Sequence, residues 1–259
     1  MFNLRRVHFA LRACFYHFLL SVFLTICTAA LVFGVWYPWP LYKIVGGLEL
    51  FWLVVGVDVI CGPLLTFIIF NPEKIKRELF FDLSLVALVQ GIALAYGIHT
   101  VATARPVHLV FEVDRLRVVT AAEIDTAGLV HAPETMSKLP WFGPTLISLR
   151  SARNSSELVE SVDLSIAGVE PSLRPGWWQD YDLGVPELLR RARPLDVLFE
   201  ARAAQKELLD KAIKNSGLPV QDLAWLPLTS SKSMEWIVLV DKATGRPRAY
   251  APIDGFLTK

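Results

Sequence analysis

Asp58 stands near the centre of an apolar run, 44–70, that is long enough to cross a membrane. Only Glu49 and Asp58 can carry charge in that run at neutral pH. An ionisable group at mid-bilayer costs about 2.5–3.5 kcal/mol on insertion scales, so a chain that keeps one generally uses it. Three uses are open to the carboxyl group. It can tie the helices of this chain together, accept a polar group from a partner helix, or carry a proton. Gly62-Pro63 follows one turn later. Pro63 has no N–H and presses on the carbonyl of Val59, so a kink and a freed carbonyl are expected beside the carboxyl group. Thr25 and Thr28 of the first apolar run and Gln90 of the third are the polar residues expected at similar depth. No internal cation is expected to face Asp58. Gly46, Gly47, Gly56 and Gly62 would let another helix come close, because association in lipid relies on packing and polar contacts.

The rest of the chain is poor in reactive groups. The three cysteines, Cys14, Cys27 and Cys61, all precede residue 62. The region after them therefore has no disulfide, thiolate nucleophile or cysteine zinc site. Beyond residue 104 the only histidines are His108 and His131. No H-E-x-x-H, G-x-S-x-G or phosphate-binding glycine loop is present. Ser230, Ser231 and Lys232 lack the S-x-x-K spacing and read as a polar turn before a strand. His108, within a strand pattern, reads as a surface or half-buried residue. Trp177-Trp178 reads either as a binding platform or as a cover for the core or an anchor in the outer leaflet. A net charge of +1 leaves no strong electrostatic footprint for nucleic acid. The expectation is a protein that is not an enzyme and uses no cofactor or metal.

Elements of two kinds must position these residues. The chain has 259 residues, 53% of them hydrophobic, and a mean hydropathy of +0.43. Runs at 16–37, 44–70 and 83–104 each reach the roughly 20 residues that a bilayer requires. The first is too long for a cleaved signal core. Pro72 ends the second, and Asp82 is expected to cap the third. Three basic residues precede span one, one lies between spans one and two, and three lie between spans two and three. This pattern puts the N-terminus in the cytoplasm and residues 105–259 outside it. Trp36, Tyr37, Trp39 and Tyr42 are expected to form an aromatic belt at the outer surface. The expected architecture is a membrane protein with three N-terminal transmembrane helices in residues 1–104, followed by one extracytoplasmic α+β domain, 105–259.

Within that domain, Val107, Leu109, Phe111 and Val113 alternate with other residues as in a strand. Asp114-Arg115 turns the chain into a second strand at 116–121. A short helix is expected at 156–164, and 171–186 is rich in proline, glycine and aromatics. A long helix is expected over 195–216, with Val197, Ala201, Ala204, Leu208 and Ala212 as its apolar stripe and Gly217 as its stop. Residues 234–253 read as a hairpin, and Pro247 makes its second strand an edge or a late starter.

The segments VDVICGPLLTFIIF (57–70), FDLSLVALVQGIALAYG (81–97) and ARPVHLVFEVDRLRVVTAAEI (104–124), with the closing WIVLVDKATGRPRAYAPID (236–254), together resemble the type IV pilin accessory proteins of the TfpX/TfpZ type. The resemblance implies a Gram-negative inner membrane, a periplasmic C-terminal domain and partnership with the major type IV pilin. It further implies a chaperone-like role in pilus assembly, on which piliation and twitching motility depend, without enzymatic activity. The membrane helix and the periplasmic head of the pilin are then the expected partners, beside the lipid bilayer and other pilus assembly proteins, and nucleic acid is not. The candidate partner-binding residues are Asp58, Gly62, Pro63, Gln90, Trp177 and Trp178, with Asp58 accepting a hydrogen bond from the pilin amino terminus or pairing with it. Two other readings stay open. One is a membrane-tethered periplasmic sensor, although the chain offers no cytoplasmic output domain. The other is a proton-coupled membrane protein using Asp58, although no second intramembrane acid accompanies it.

Overall fold

The computed structural model describes residues 4–257. The chain forms two compact units. The first runs up to Pro38 and again from Gly46 to Ala104, and the second takes Trp39–Val45 and everything from Arg105 onward.

In the first unit, helix α1 (Leu4–Leu31) passes directly into a π-helical turn, Val32–Trp36. A short helical turn, α2 (Leu41–Ile44), belongs to the second unit. Then come α3 (Gly47–Gly56), a second π segment (Val57–Cys61), α4 (Gly62–Ile69) and α5 (Lys76–Thr103). Leu4–Trp36, Gly47–Ile69 and Lys76–Thr103 are three helices long and apolar enough to cross a membrane. Helix α1 starts well before its apolar run because neither proline nor glycine interrupts the chain before Gly34. The expected cap at Asp82 is overturned. Helix α5 begins at Lys76 behind Ile75, and Asp82 lies inside it, 2.5 Å from the Lys74 ammonium. The stop at Pro72 is followed almost at once by helix, so the apolar boundary and the helix boundary differ.

The aromatic cluster also departs from expectation. Trp36 and Tyr37 are buried, and the Tyr37 hydroxyl donates to the carbonyl of Val101 at 2.8 Å. A Cβ at Gly47 would lie 2.5 Å from the Tyr37 ring, and one at Gly97 would lie 2.7 Å from Val54. Both glycines are there so that backbone can meet side chain.

The second unit is α+β. Its elements after α2 are β1 (Pro106–Glu112), β2 (Arg115–Thr120), β3 (Thr145–Leu149), α6 (Ser155–Ile166), β4 (Trp178–Asp180), α7 (Tyr181–Arg191), β5 (Arg193–Pro194), α8 (Leu195–Ala201), α9 (Lys206–Ser216), β6 (Leu223–Thr229), β7 (Trp236–Asp241) and β8 (Pro247–Ala251). One mixed eight-stranded sheet runs β4-β3-β1-β2-β6-β7-β8, with β5 pairing β6. The pairs β1–β3 and β2–β6 are parallel and the others antiparallel. Strand β1 is buried at every position, so its alternation does not mark a solvated face. The closing hairpin is as expected, with β8 starting at Pro247 on the sheet edge. The β1–β2 turn places Val113 at φ 58°, a left-handed conformation that a β-branched residue adopts only under strain.

The helix expected over 195–216 is two helices. The chain leaves helical geometry at Arg202 (φ −125°) and passes through a 3₁₀ turn at Ala203–Gln205. This break resets the helical phase. Leu195, Leu198, Leu209 and Ala212 are buried, whereas Val197 and Leu208 are exposed. Gly217, at φ 70°, ends α9 as expected. Helix α7 begins inside the stretch that read as proline- and glycine-rich. Its Gly184 lies so close to Ser148 of β3 that a Cβ would overlap that side chain. Strand β6 tolerates Pro227 because that residue falls between the segments paired to β5 and to β2.

Two cores result. One gathers Leu198, Leu209, Leu223, Trp225, Ile237 and Leu239. The other gathers Val107, Val110, Val119, Met136, Ile147 and Trp178. Trp39–Val45 joins this unit through Ser230, whose hydroxyl donates to the Ile44 carbonyl at 2.6 Å, and through an edge-to-face contact of Trp39 with Tyr250.

Candidate functional site

The second helix of the first unit is interrupted where Asp58 sits. Residues Val57–Cys61 form a π segment, and Pro63 follows at the start of α4. In a π turn a carbonyl looks five residues ahead for its donor. For Asp58 that residue is Pro63, which has none. The side-chain amide of Gln90 on α5 turns to the Asp58 carbonyl instead, at 3.4 Å. A Cβ at position 62 would overlap that amide, so Gly62 is the residue that admits it. Gln90 is thus the partner of the Asp58 carbonyl.

Asp58 is 8% exposed, and its Oδ2 has no hydrogen-bond partner. It helps line a groove of about 420 Å³ between α3 and α5, together with Leu53, Val54, Val57, Gln90 and Gly97. The other polar side chains in its largely apolar lining are Tyr96 and Thr100. A carboxyl oxygen in such a wall can accept a hydrogen bond or face a cation, and an apolar helix bearing one donor suits it.

Thr25 and Thr28 do not hydrogen-bond to Asp58. The neighbour from α1 is His17, which lies within electrostatic reach of the carboxylate. The His17 ring nitrogen Nδ1 is 2.5 Å from the Thr66 hydroxyl on α4. His17 is not among the polar residues expected at this depth. The sequence contained the signal. Placing span one at 16–37 put His17 at a helix edge, whereas a helix from Leu4 puts it in the interior.

Of the six candidate residues, Asp58, Gly62, Pro63 and Gln90 come together in the first unit. Trp177 and Trp178 lie in the second. Trp178 is a core residue, 2% exposed, with its indole N–H donating to the Ser172 carbonyl at 2.9 Å, so it offers no platform. Trp177 is half-buried and flanked by the guanidinium groups of Arg150 and Arg174, 4.8 and 5.9 Å from its ring centre. His108 is fully buried rather than superficial. Its Nδ1 is 2.7 Å from Thr145 Oγ1, its ring meets the Trp178 ring, and burial pushes its pKa down to about 4. Parallel pairing of β1 with β3 sets His108 opposite Thr145. Ser230–Lys232 forms the polar turn before β7, with Ser230 Oγ accepting from the backbone of Lys232 and Ser233. Among the described residues no cluster of histidine, cysteine, aspartate or glutamate is arranged to hold a metal ion.

Comparison with known proteins supplies the family. The model described as "Fimbrial assembly protein FimB" matches residues 5–46. The fimbrial assembly protein of serogroup I from Dichelobacter nodosus is 38% identical over 241 residues, which cover 93% of this chain and 94% of that protein. The serogroup E1 protein from the same organism is 37% identical over the same shares. A shorter relative, the fimbrial assembly protein of serogroups C1 and C2, is 45% identical over 122 residues, or 47% of this chain and 93% of that one. No solved structure matches. With near-complete coverage at this identity, this chain of three membrane-spanning helices and one α+β domain belongs to the fimbrial assembly protein family.

Proposed function

We propose that this protein is a non-enzymatic accessory factor of type IV pilus assembly that contacts the major pilin. The observation that carries this reading is the 38% identity, over 93% of the chain, to a fimbrial assembly protein. The three-one-three distribution of basic residues supports an inner-membrane orientation with the N-terminus in the cytoplasm and the α+β domain in the periplasm. A pilin stored in that membrane has one apolar helix and a soluble head. The groove between α3 and α5 suits the helix, and its unpartnered carboxyl oxygen suits a donor on that helix, such as the pilin amino terminus. Gly62, Pro63 and Gln90 hold the site open by shaping the π segment. The protein then acts as a chaperone for the stored subunit, and piliation and twitching motility depend on it.

Site-specific photocrosslinking in cells tests this. Probes at Val57, Leu53 and Leu94 are expected to give an adduct with the major pilin that disappears in a pilin deletion. Asp58→Asn should weaken it several-fold and Asp58→Ala should weaken it further, with surface pili falling in parallel. Normal crosslinking and piliation in both variants would remove Asp58 from the contact. No pilin adduct from any groove position, in correctly inserted protein, would overturn direct binding there.

A further inference from the structure

Helix α6, Ser155–Ile166, is turned inside out. Its buried residue is a serine, Ser161. Of its apolar side chains, Leu158, Val159, Val162 and Ile166 are exposed, Val159 at 61% and Ile166 at 80%, while Leu164 lies on another side and is the least exposed at 37%. At 3.6 residues per turn these four fall within an arc of roughly 100°. An apolar stripe of that width normally faces a core.

The orientation is fixed from within. The guanidinium of Arg174, itself 8% exposed, donates to Ser161 Oγ at 2.8 Å, to the Ser161 carbonyl at 3.0 Å, to Ser165 Oγ at 3.0 Å and to the Val169 carbonyl at 3.0 Å. Asn154 caps the first turn by accepting from the Glu157 N–H at 2.8 Å. Arg150 grips Glu157 with a fork, at 2.6 and 3.0 Å. The polar face of α6 is therefore its inner face, and rotating the helix to hide the stripe would break all of these bonds.

The charge beside the stripe selects what covers it. Asp163 is exposed at one border of the stripe and Glu160 is exposed roughly 60° further round the helix, and the helix SSELVESVDLSI contains no basic residue. Helices that lie in a membrane surface carry lysine and arginine there, and anionic headgroups would repel this one. Two copies of α6 face to face would bring like charges together. We propose that α6 is a docking helix that inserts Leu158, Val159, Val162 and Ile166 into an apolar groove of a different protein, rimmed by lysine or arginine. This is the helix-in-groove mode, with the helix on the side of this chain. It does not depend on the reading of Asp58.

The test uses the full-length protein in cells, with a photoreactive residue at Val159 or Ile166. The expected result is an adduct with another protein, whose crosslinked peptides carry lysine or arginine beside apolar residues. The double change Glu160→Lys and Asp163→Lys should cut its yield at least fivefold, while the unfolding midpoint of the purified protein stays the same. Leu158→Ser with Val162→Ser should also abolish it. An adduct unaffected by charge reversal overturns the proposal, as does the absence of any adduct. A self-adduct assigns the stripe to a second copy instead. Lipid-depth quenching of a fluorophore at Val159→Cys, in nanodiscs with anionic lipid, assigns it to the membrane instead.

Discussion

Replacing Arg174 with methionine should release α6 while leaving the sheet in place. The guanidinium serves Ser161, Ser165 and Val169 from a buried position. Methionine fills most of the volume, so the cavity term is small. What remains is a set of buried acceptors without donors, at about 1–3 kcal/mol each before relaxation. Water reaching the half-buried Ser165 reduces the sum, and a net cost of about 3 kcal/mol is reasonable for the helix. Because about 1.4 kcal/mol is a factor of ten, amide exchange in α6 should accelerate on the order of 100-fold. Hydrogen exchange by mass spectrometry on the full-length protein in detergent resolves peptides over 155–169. The control is Arg191→Met, which removes an exposed pair with Glu187 on α7 and should change α7 exchange by less than about threefold, since such pairs contribute about 0.3–0.5 kcal/mol. Less than threefold acceleration in α6 of Arg174→Met would refute the argument. So would an equal acceleration in β1 and β7, because the cost would then be global rather than local.

Three further outcomes are expected. The folded pKa of His108 is about 4 against an ordinary 6.5, because burial disfavours the imidazolium. Its stabilising effect is therefore complete above pH 6.5 and is lost as pH falls toward 4, about 3 kcal/mol in all; denaturation at stepped pH should show this loss, and His108→Gln should flatten it. In the first unit, Gly62→Ala displaces only the flexible Gln90 amide and should cost about 0.6 kcal/mol, the value of a membrane hydrogen bond, whereas Gly97→Ala meets the stiff Val54 side chain and should cost about 1–3 kcal/mol. Unfolding in mixed detergent ranks the two, and Gln90→Ala should make Gly62→Ala nearly neutral. At the β1–β2 turn, Val113→Gly should raise the stability of the α+β domain by about 0.5–1 kcal/mol, since relief of left-handed strain exceeds the entropy cost of glycine; a lower melting temperature would contradict this.

The amino-acid sequence by itself determined the membrane class, the three spans and the α+β class of the remainder, because length, hydropathy and strand periodicity are local properties. It also singled out Asp58, Gly62-Pro63 and Gln90, which the fold brings together, since each is costly or disruptive in lipid without a partner. The end hairpin was legible from Pro247 and the turn residues between two apolar runs. Helix limits were less legible. Helix α1 begins well before its apolar run, and α8 and α9 look continuous until Arg202 leaves helical geometry. What only tertiary structure decided is who faces whom. His17 meets Thr66 because α1 packs beside α4, and Gln90 serves the Asp58 carbonyl because α5 passes Gly62. His108, which read as a surface or half-buried residue, is fully buried because β1 lies inside the sheet, and of the readings open to Trp178 the structure selects the core. The outward stripe of α6 is the clearest case. Periodicity reports that a helix has an apolar side, but Arg174, distant from that side and buried beneath it, decides which way the side points.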